Sequence, residues 1–246
     1  MNKKRIQMNL IIHDLKGPLS VVETGIKTML DKPDTGPLTN KQHRVLRRIL
    51  RNTKLVQSLV NDTLEIERPE YASQDVRTVT LSTVIFSTLK EIYDITATTI
   101  PVSINADQDL ATLQEILLRA DIALVINQEL WDAEITISVN RMQQILRNLL
   151  SNALKYRKKQ IEVGFSINGD ELHFYVKDDG KGIPKKLHKK IFECYFQLNS
   201  SDDKSLRCHG LGLAGVQILV EDMCGRLNLE SDIDQGATFS VALRLN

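Results

Sequence analysis

Val176-Lys177-Asp178-Asp179-Gly180-Lys181-Gly182-Ile183-Pro184 is the stretch that decides the fold: an apolar segment ends on an acid, and two glycines follow, one residue apart. An aspartate at a strand end can accept a hydrogen bond from an exocyclic amine, and glycines let the backbone approach a flat ring closely. Alone, Asp-x-Gly-x-Gly is often only a turn. Just upstream, Ile161, Val163, Phe165 and Ile167 alternate, as do Leu172, Phe174 and Val176. The Asn168-Gly169-Asp170 turn between the two runs makes them a β-hairpin.

The segment before the hairpin, Asn140 to Tyr156, places Met142, Ile145, Leu146, Leu149, Leu150 and Ala153 at helical spacing. Asn148 and Asn152 stand four residues apart, so both amides lie on one helical face. Two amide oxygens there can hold a hydrated magnesium ion, which prefers few protein ligands plus phosphate oxygens. Lys155 offers a cation to phosphate. The plainer reading of the same residues is the polar face of an amphipathic helix. After the hairpin, His209-Gly210-Leu211-Gly212-Leu213 opens a helix that runs to Met223. Glycines at a helix N-terminus with unpaired N–H groups form an anion site, a weak signal by itself.

The last segment, LNLESDIDQGATFSVALRL, reads as a strand pair, and Leu81 to Ile95 as a helix. Between 97 and 138 the pattern gives a strand near Val102–Ile104, a helix near Leu110–Arg119, and strands near Ile122–Ile126 and Ile135–Val139. Helices packed on one side of a mixed or antiparallel sheet make an α+β sandwich.

The N-terminal quarter has another texture. Met8, Ile12, Leu15, Leu19, Val22, Ile26 and Met29 alternate steps of four and three, the seam of a packed helix pair. Pro33, Gly36 and Pro37 interrupt it, and Thr39 or Asn40 caps a second helix. That helix carries Val45, Ile49, Val56, Leu59 and Ile66, with a second row at Leu46, Leu50, Val60 and Leu64, and Pro69 ends it. Residues 4–67 therefore read as an antiparallel hairpin, followed by a polar connection over 69–79. Two such wide apolar faces cannot be buried within one hairpin, so a homodimeric four-helix bundle is expected. The seam puts His13 and Asp14 on the water-facing side. An exposed histidine beside an aspartate is ordinarily solvated surface. Pro18 is less ordinary, since a proline inside a helix removes a backbone hydrogen bond at a cost of about 3 kcal/mol.

Composition narrows the partners. Lys plus Arg number 32 and Asp plus Glu 31 in 246 residues, so no general field draws in nucleic acid or anionic lipid. Cys194, Cys208 and Cys224 form no Cys-x-x-Cys pair, which argues against a disulfide framework or zinc site and for reduced thiols in a cytoplasmic protein. No signal peptide or membrane-spanning run opens the chain, so a sensory or membrane segment is expected upstream or in another protein.

Taken in order, the segments at His13, Asn148–Tyr156, Asp178–Gly182 and His209–Leu213 resemble the histidine, asparagine, first glycine and second glycine boxes of sensor histidine kinases. Ile191-Phe192-Glu193-Cys194-Tyr195-Phe196 is similar to that family's phenylalanine box. The resemblance implies a dimerisation and phosphoacceptor domain over 1–68, a linker over 69–79 and a Bergerat (GHKL) ATP-binding domain over 80–246. The stretch 97–138 is longer than the family's usual connection and reads as an insertion. By motif position, Asp178 binds the adenine amino group, with Gly180 and Gly182 shaping that pocket. Asn152, helped by Asn148, holds Mg2+; Lys155 approaches the phosphates and Tyr156 borders the nucleotide. Residues 185–213 form an ATP lid with Gly210 and Gly212 at its phosphate-facing end. His13 attacks the γ-phosphorus while Asp14 orients its ring, and the phosphoryl group passes to an aspartate of a response-regulator receiver domain.

Two positions depart from the family's pattern. Gly17 stands where Thr or Asn is usual four residues after the histidine, which implies weak or absent phosphatase activity. Cys208 stands where the second glycine box usually begins, which bears on nucleotide affinity and leaves redox control conceivable. Two other readings stay open at this point: a GHKL ATPase of the chaperone, gyrase or mismatch-repair type, and a nucleotide-sensing pseudokinase that only dimerises.

Overall fold

The computed structural model describes residues 3–31, 36–67, 76–96, 108–193, 196 and 212–245, with the side chains at 3–16, 51, 54–55, 57–67 and 93–96 outside the description. The chain divides into two units, Met1–Arg68 and Pro69–Asn246.

The first unit is a pair of helices, α1 (Lys3–Asp31) and α2 (Asn40–Glu67). α1 runs unbroken through Pro18. Of the two expected caps, Thr39 is the one used. Its hydroxyl accepts from the Gln42 amide at 3.3 Å while the Gln42 side chain accepts from the Thr39 amide at 2.8 Å, a reciprocal capping box. The apolar stripes expected from the heptads are buried only in part. Ile26 and Thr53 are buried, with Leu19, Leu30, Leu46 and Leu50 half-buried. Val22, Met29, Val45, Ile49 and Val56 remain 44, 41, 48, 42 and 42% exposed. A helix pair has facing surface for one narrow row per helix, so a wide apolar stripe leaves its second row outside.

In the second unit, β2 (Ile122–Val125), β4 (Ile161–Asn168), β5 (Glu171–Asp178), β7 (Ala237–Arg244) and β6 (Arg226–Ser231) form one sheet in the order β2-β4-β5-β7-β6. Only the β2–β4 pairing is parallel. The hairpin between β4 and β5 closes at Asn168↔Glu171, and Gly169 takes the left-handed first turn position at φ +64°. Strand alternation sends Val163, Phe165, Leu172, Phe174, Val176, Phe239, Val241 and Leu243 into one core. That core receives α3 (Leu81–Thr96), α6 (Val139–Tyr156) and α7 (Gly212–Asp222). Met142, Ile145, Leu146 and Leu149 of α6 are at most 1% exposed. Burying each such side chain contributes about 1.5–3 kcal/mol, so α6 is held by packing rather than by propensity.

The connection expected over 69–79 must be shortened. Val76–Thr80 is a strand, β1, antiparallel to β3 (Glu134–Ser138). Its β-branched residues suit a strand, and the Thr78 and Thr136 hydroxyls lie 2.8 Å apart across the pair. Of residues 97–138, expected as an insertion, those described, 108–138, belong to the folded unit. They supply α4 (Leu110–Leu118), the edge strand β2, a short helix α5 (Gln128–Trp131) and β3, and Leu113, Leu117, Ile122, Ile135 and Ile137 are nearly fully buried. α5 was not foreseen: Asn127 caps it by accepting from the Leu130 amide at 2.8 Å, and Trp131 packs edge-on against Phe86 at 5.3 Å. The strand expected near Val102–Ile104 lies outside the described residues. Among the described residues no helix is long and apolar enough to cross a membrane.

Candidate functional site

β5 delivers Asp178 at its C-terminal end, 7% exposed, in the middle strand of the sheet. Burial raises its pKa above the ordinary carboxyl value; the Gly180 and Ala237 amides offset part of that, and the neighbouring Asp179 charge adds to it. The Gly180 amide donates to Asp178 Oδ1 at 2.8 Å. No side chain fits at Gly180, because a Cβ would collide with the Tyr156 carbonyl oxygen and lie 2.6 Å from Asp178 Oδ1. Gly182 has φ +69°, and a Cβ there would run into the Asp232 carbonyl oxygen. Gly236, at φ +72°, is packed equally hard against the Asp178 carbonyl oxygen.

The loop after Asp178 is therefore seated on the turn between β6 and β7. Ser231 joins them: its hydroxyl donates to the Gly236 carbonyl at 2.5 Å and accepts from the Ile183 amide at 2.8 Å. The Asp234 amide adds a bond to the Lys181 carbonyl at 2.7 Å. We expect Gly182→Ala to destabilise this unit by about 1–3 kcal/mol, through a left-handed backbone and a backbone collision. Trp131 is the one tryptophan of the chain and lies in the core of this unit, so its fluorescence in a urea titration reads the loss. An unchanged midpoint would contradict the seating.

α6 brings the remaining residues. Arg147 pairs with Glu91 of α3 at 2.9 Å and Arg141 with Asp222 of α7 at 3.4 Å, which fixes the helix along its length. Asn148 Nδ2 donates to the Gly212 carbonyl at 3.4 Å, joining the asparagine face to the first turn of α7. Asn152, one turn on, is half-buried. The donor set is two neutral amides on one helix face, which fits a magnesium ion that keeps most of its waters and takes phosphate oxygens. At the helix end, Lys155 Nζ lies 4.7 Å above the Tyr156 ring and 3.1 Å from its hydroxyl. Asp179 closes the far side. Its Oδ1 accepts from the Lys158 and Lys159 amides at 2.9 Å each, and its Oδ2 from the Lys159 amide at 3.1 Å. Desolvation alone would raise the Asp179 pKa, but the Lys159, Gln160 and Lys158 amides hold it below the ordinary value.

The structure thus gathers Asp178, Gly180 and Gly182 with the end of α6 at Tyr156, and Asn148 with Gly212. Gly210, Cys194 and Cys208 lie outside the described residues. His13 and Asp14 fall within α1, their side chains outside the description. Sequence reasoning missed Ser231, Gly236 and the role of Asp179. The Asp234-Gln235-Gly236 turn was the available signal, since Asp234 and Gly236 both take positive φ. From the expected phenylalanine box, Ile191 is buried and Phe192 packs edge-on against Phe239 at 6.4 Å.

Residues 3–72 match the His Kinase A (phospho-acceptor) domain family. Residues 137–246 match the histidine kinase-, DNA gyrase B- and HSP90-like ATPase family. The chain belongs to the histidine kinases. This histidine kinase core is 33% identical over 233 residues to the circadian input-output histidine kinase CikA of Synechococcus elongatus, covering 93% of the chain and 28% of that protein. It is 26% identical to the sensor histidine kinase RcsC of Escherichia coli, covering 98% of the chain and 23% of RcsC. The chain spans about a quarter to a third of the curated relatives it matches. In fold it is similar to full-length ShkA, solved in complex with AMPPNP, at a TM-score of 0.61 and 22% identity over 97% of this chain and 45% of that one. The histidine kinase AdeS of Acinetobacter baumannii gives a TM-score of 0.53 at 18% identity, over 95% of this chain and 98% of that one.

Proposed function

We propose that this core phosphorylates its own His13 with ATP and passes the phosphoryl group to an aspartate of a response-regulator receiver domain. The observation that carries the reading is Asp178, a buried acceptor whose flanking Gly180 and Gly182 leave no room for side chains, in a chain that also has a phosphoacceptor helix. Asp178 accepts from the adenine amine, and the glycine loop lies against the ring. Lys155 approaches the phosphates, and Tyr156 borders the nucleotide; Gly210 and Gly212 present backbone N–H groups to the phosphates. Asn152 and Asn148 hold Mg2+, which supplies charge neutralisation on the phosphate oxygens. His13 Nε2 forms the new N–P bond as the bond from the γ-phosphorus to the ADP oxygen breaks. Asp14 accepts from Nδ1–H, which fixes the tautomer and stabilises positive charge developing on the ring.

The exposed row Val22, Met29, Val45, Ile49 and Val56 supports a homodimer in which a second hairpin completes a four-helix bundle. The relatives' greater length supports a sensory region outside this core, and the same reading places the core in the cytoplasm, driven by that region or by a separate sensor. ATP labelled on the γ-phosphate tests the whole reading. Acid-labile label on the protein supports it, phosphate release without labelled protein favours the ATPase, and neither favours the pseudokinase.

Gly17 is exposed with nothing within 4 Å of where a Cβ would stand, so this position offers no side chain to orient a water. We expect little phosphatase activity. A receiver domain phosphorylated by this core should lose its phosphate at its own rate in the core's presence, and marked acceleration would contradict the assignment.

A further inference from the structure

α6 ends at Tyr156, and the chain then reverses through Arg157–Gln160 into β4. Everything expected to meet the phosphates from this side, Asn148, Asn152 and Lys155, is carried by that helix. The adenine acceptor Asp178 and its glycine loop belong to β5 and the residues after it. A single bound nucleotide spans both groups, so their separation must be held to within a fraction of an ångström.

Among the described residues the sheet pairs Ile161 with Asp178 and α6 packs on that sheet, and a handful of loop contacts add to these ties. Gly180 meets the Tyr156 carbonyl, a contact that sets how close the two can come but not how far they can part. Arg157 Nη1 reaches the Ala120 and Asp121 carbonyls at 3.0 and 3.4 Å, which anchors the bend to the turn before β2 and not to the glycine loop. Lys158 and Asp234 lie 3.6 Å apart with side chains 55 and 71% exposed, an ion pair too solvated to hold a backbone. Asp179 is different. Its carboxylate takes the two consecutive amides of the bend at 2.9 Å, and its own amide returns a bond to the Gln160 carbonyl at 3.4 Å. Charge-assisted bonds to backbone N–H groups are roughly twice as strong as neutral ones.

We infer that Asp179 is a positioning residue, which clasps the bend after α6 to the glycine loop and so sets the spacing between the adenine acceptor and the phosphate-facing helix. This rests on the nucleotide reading above. The acceptor geometry matters more than the charge, because Oδ1 takes both amides and Oδ2 adds only a longer bond to one of them. Asn keeps that oxygen, Ala removes it, and Glu keeps the charge but pushes the bend outward by a methylene.

ATP dissociation constants of the 246-residue chain, measured by calorimetry with Mg2+ present, test the inference. Asp179→Ala should weaken ATP by about tenfold and Asp179→Asn by no more than about threefold, since the Oδ1 acceptor of both amides is lost in one and kept as a neutral acceptor in the other. An Ala variant that binds ATP like the wild type overturns the inference, and so does an Asn variant as weak as Ala. Should Asp179→Ala not fold, Asp179→Glu carries the same test. It should weaken ATP several-fold, and wild-type affinity there would overturn the clasp. Failure of the wild type itself to bind ATP overturns the nucleotide reading, and the inference with it.

Discussion

Asp178→Asn is expected to abolish ATP binding while leaving the ligand-free fold at least as stable as the wild type. The two halves of this expectation share one cause. The Asp178 carboxyl is buried, and desolvation lifts its folded-state pKa above the ordinary 3.8. A raised carboxyl pKa means that the folded chain binds the proton more readily than the unfolded one. Stability contributed by this group is therefore greatest below 3.8 and falls as pH rises through the raised value. Above that acid range the buried carboxyl is a cost carried for function. Asn removes the charge and keeps an oxygen for the Gly180 amide, so the cost goes with little structural loss. Recognition suffers instead: an amine donor now meets a neutral amide that presents its own N–H2 group. A site built to pair a buried polar group rejects the mismatch strongly, and a loss of at least about 100-fold follows. Calorimetric titration with ATP and thermal unfolding at pH 5 and pH 8 check both halves. Retained affinity, or a variant clearly less stable than wild type at pH 8, would contradict the assignment.

His13→Gln should reduce acid-labile phosphorylation to background and leave ATP affinity unchanged. Gln has no ring nitrogen that can form an N–P bond, so no alternative nucleophile stands at that position. His13 lies in the unit Met1–Arg68, whereas Asp178 and the asparagine helix lie in Pro69–Asn246, so nucleotide binding has no reason to move. This separation makes the variant informative: lost label with normal ATP affinity places the defect at the acceptor. Label at the wild-type level would remove His13 from its role even if the chain proved a kinase.

What was legible in the sequence was local. The β4–β5 hairpin rests on a two-residue period and a turn glycine, and α6 on an uninterrupted apolar face, so both were readable from neighbouring residues. β1 was not, because its partner strand is distant; Thr78 meets Thr136 from 58 residues away. The seating of the glycine loop was hidden for the same reason. Nothing near Gly182 in sequence says that Asp232 will lie against it, nor that Ser231 will bridge Ile183 and Gly236. In the first unit two adjacent apolar rows of α2 were identified, and they competed for the inside. Leu46 and Leu50 turn inward while Val45 and Ile49 stay exposed, a choice that packing makes and periodicity does not. His13 was the least legible of the chemical residues, since an exposed histidine is ordinary until an ATP site follows it.

The central claim is a phosphoryl group on His13 that comes from ATP. Peptide mapping of the wild-type chain by mass spectrometry, after incubation with MgATP and digestion at alkaline pH, tests it most directly. The account predicts one phosphoryl group, on the peptide that contains His13, lost on brief acid treatment. A phosphoryl group on any other residue, or ATP hydrolysed with the protein unmodified, would contradict it.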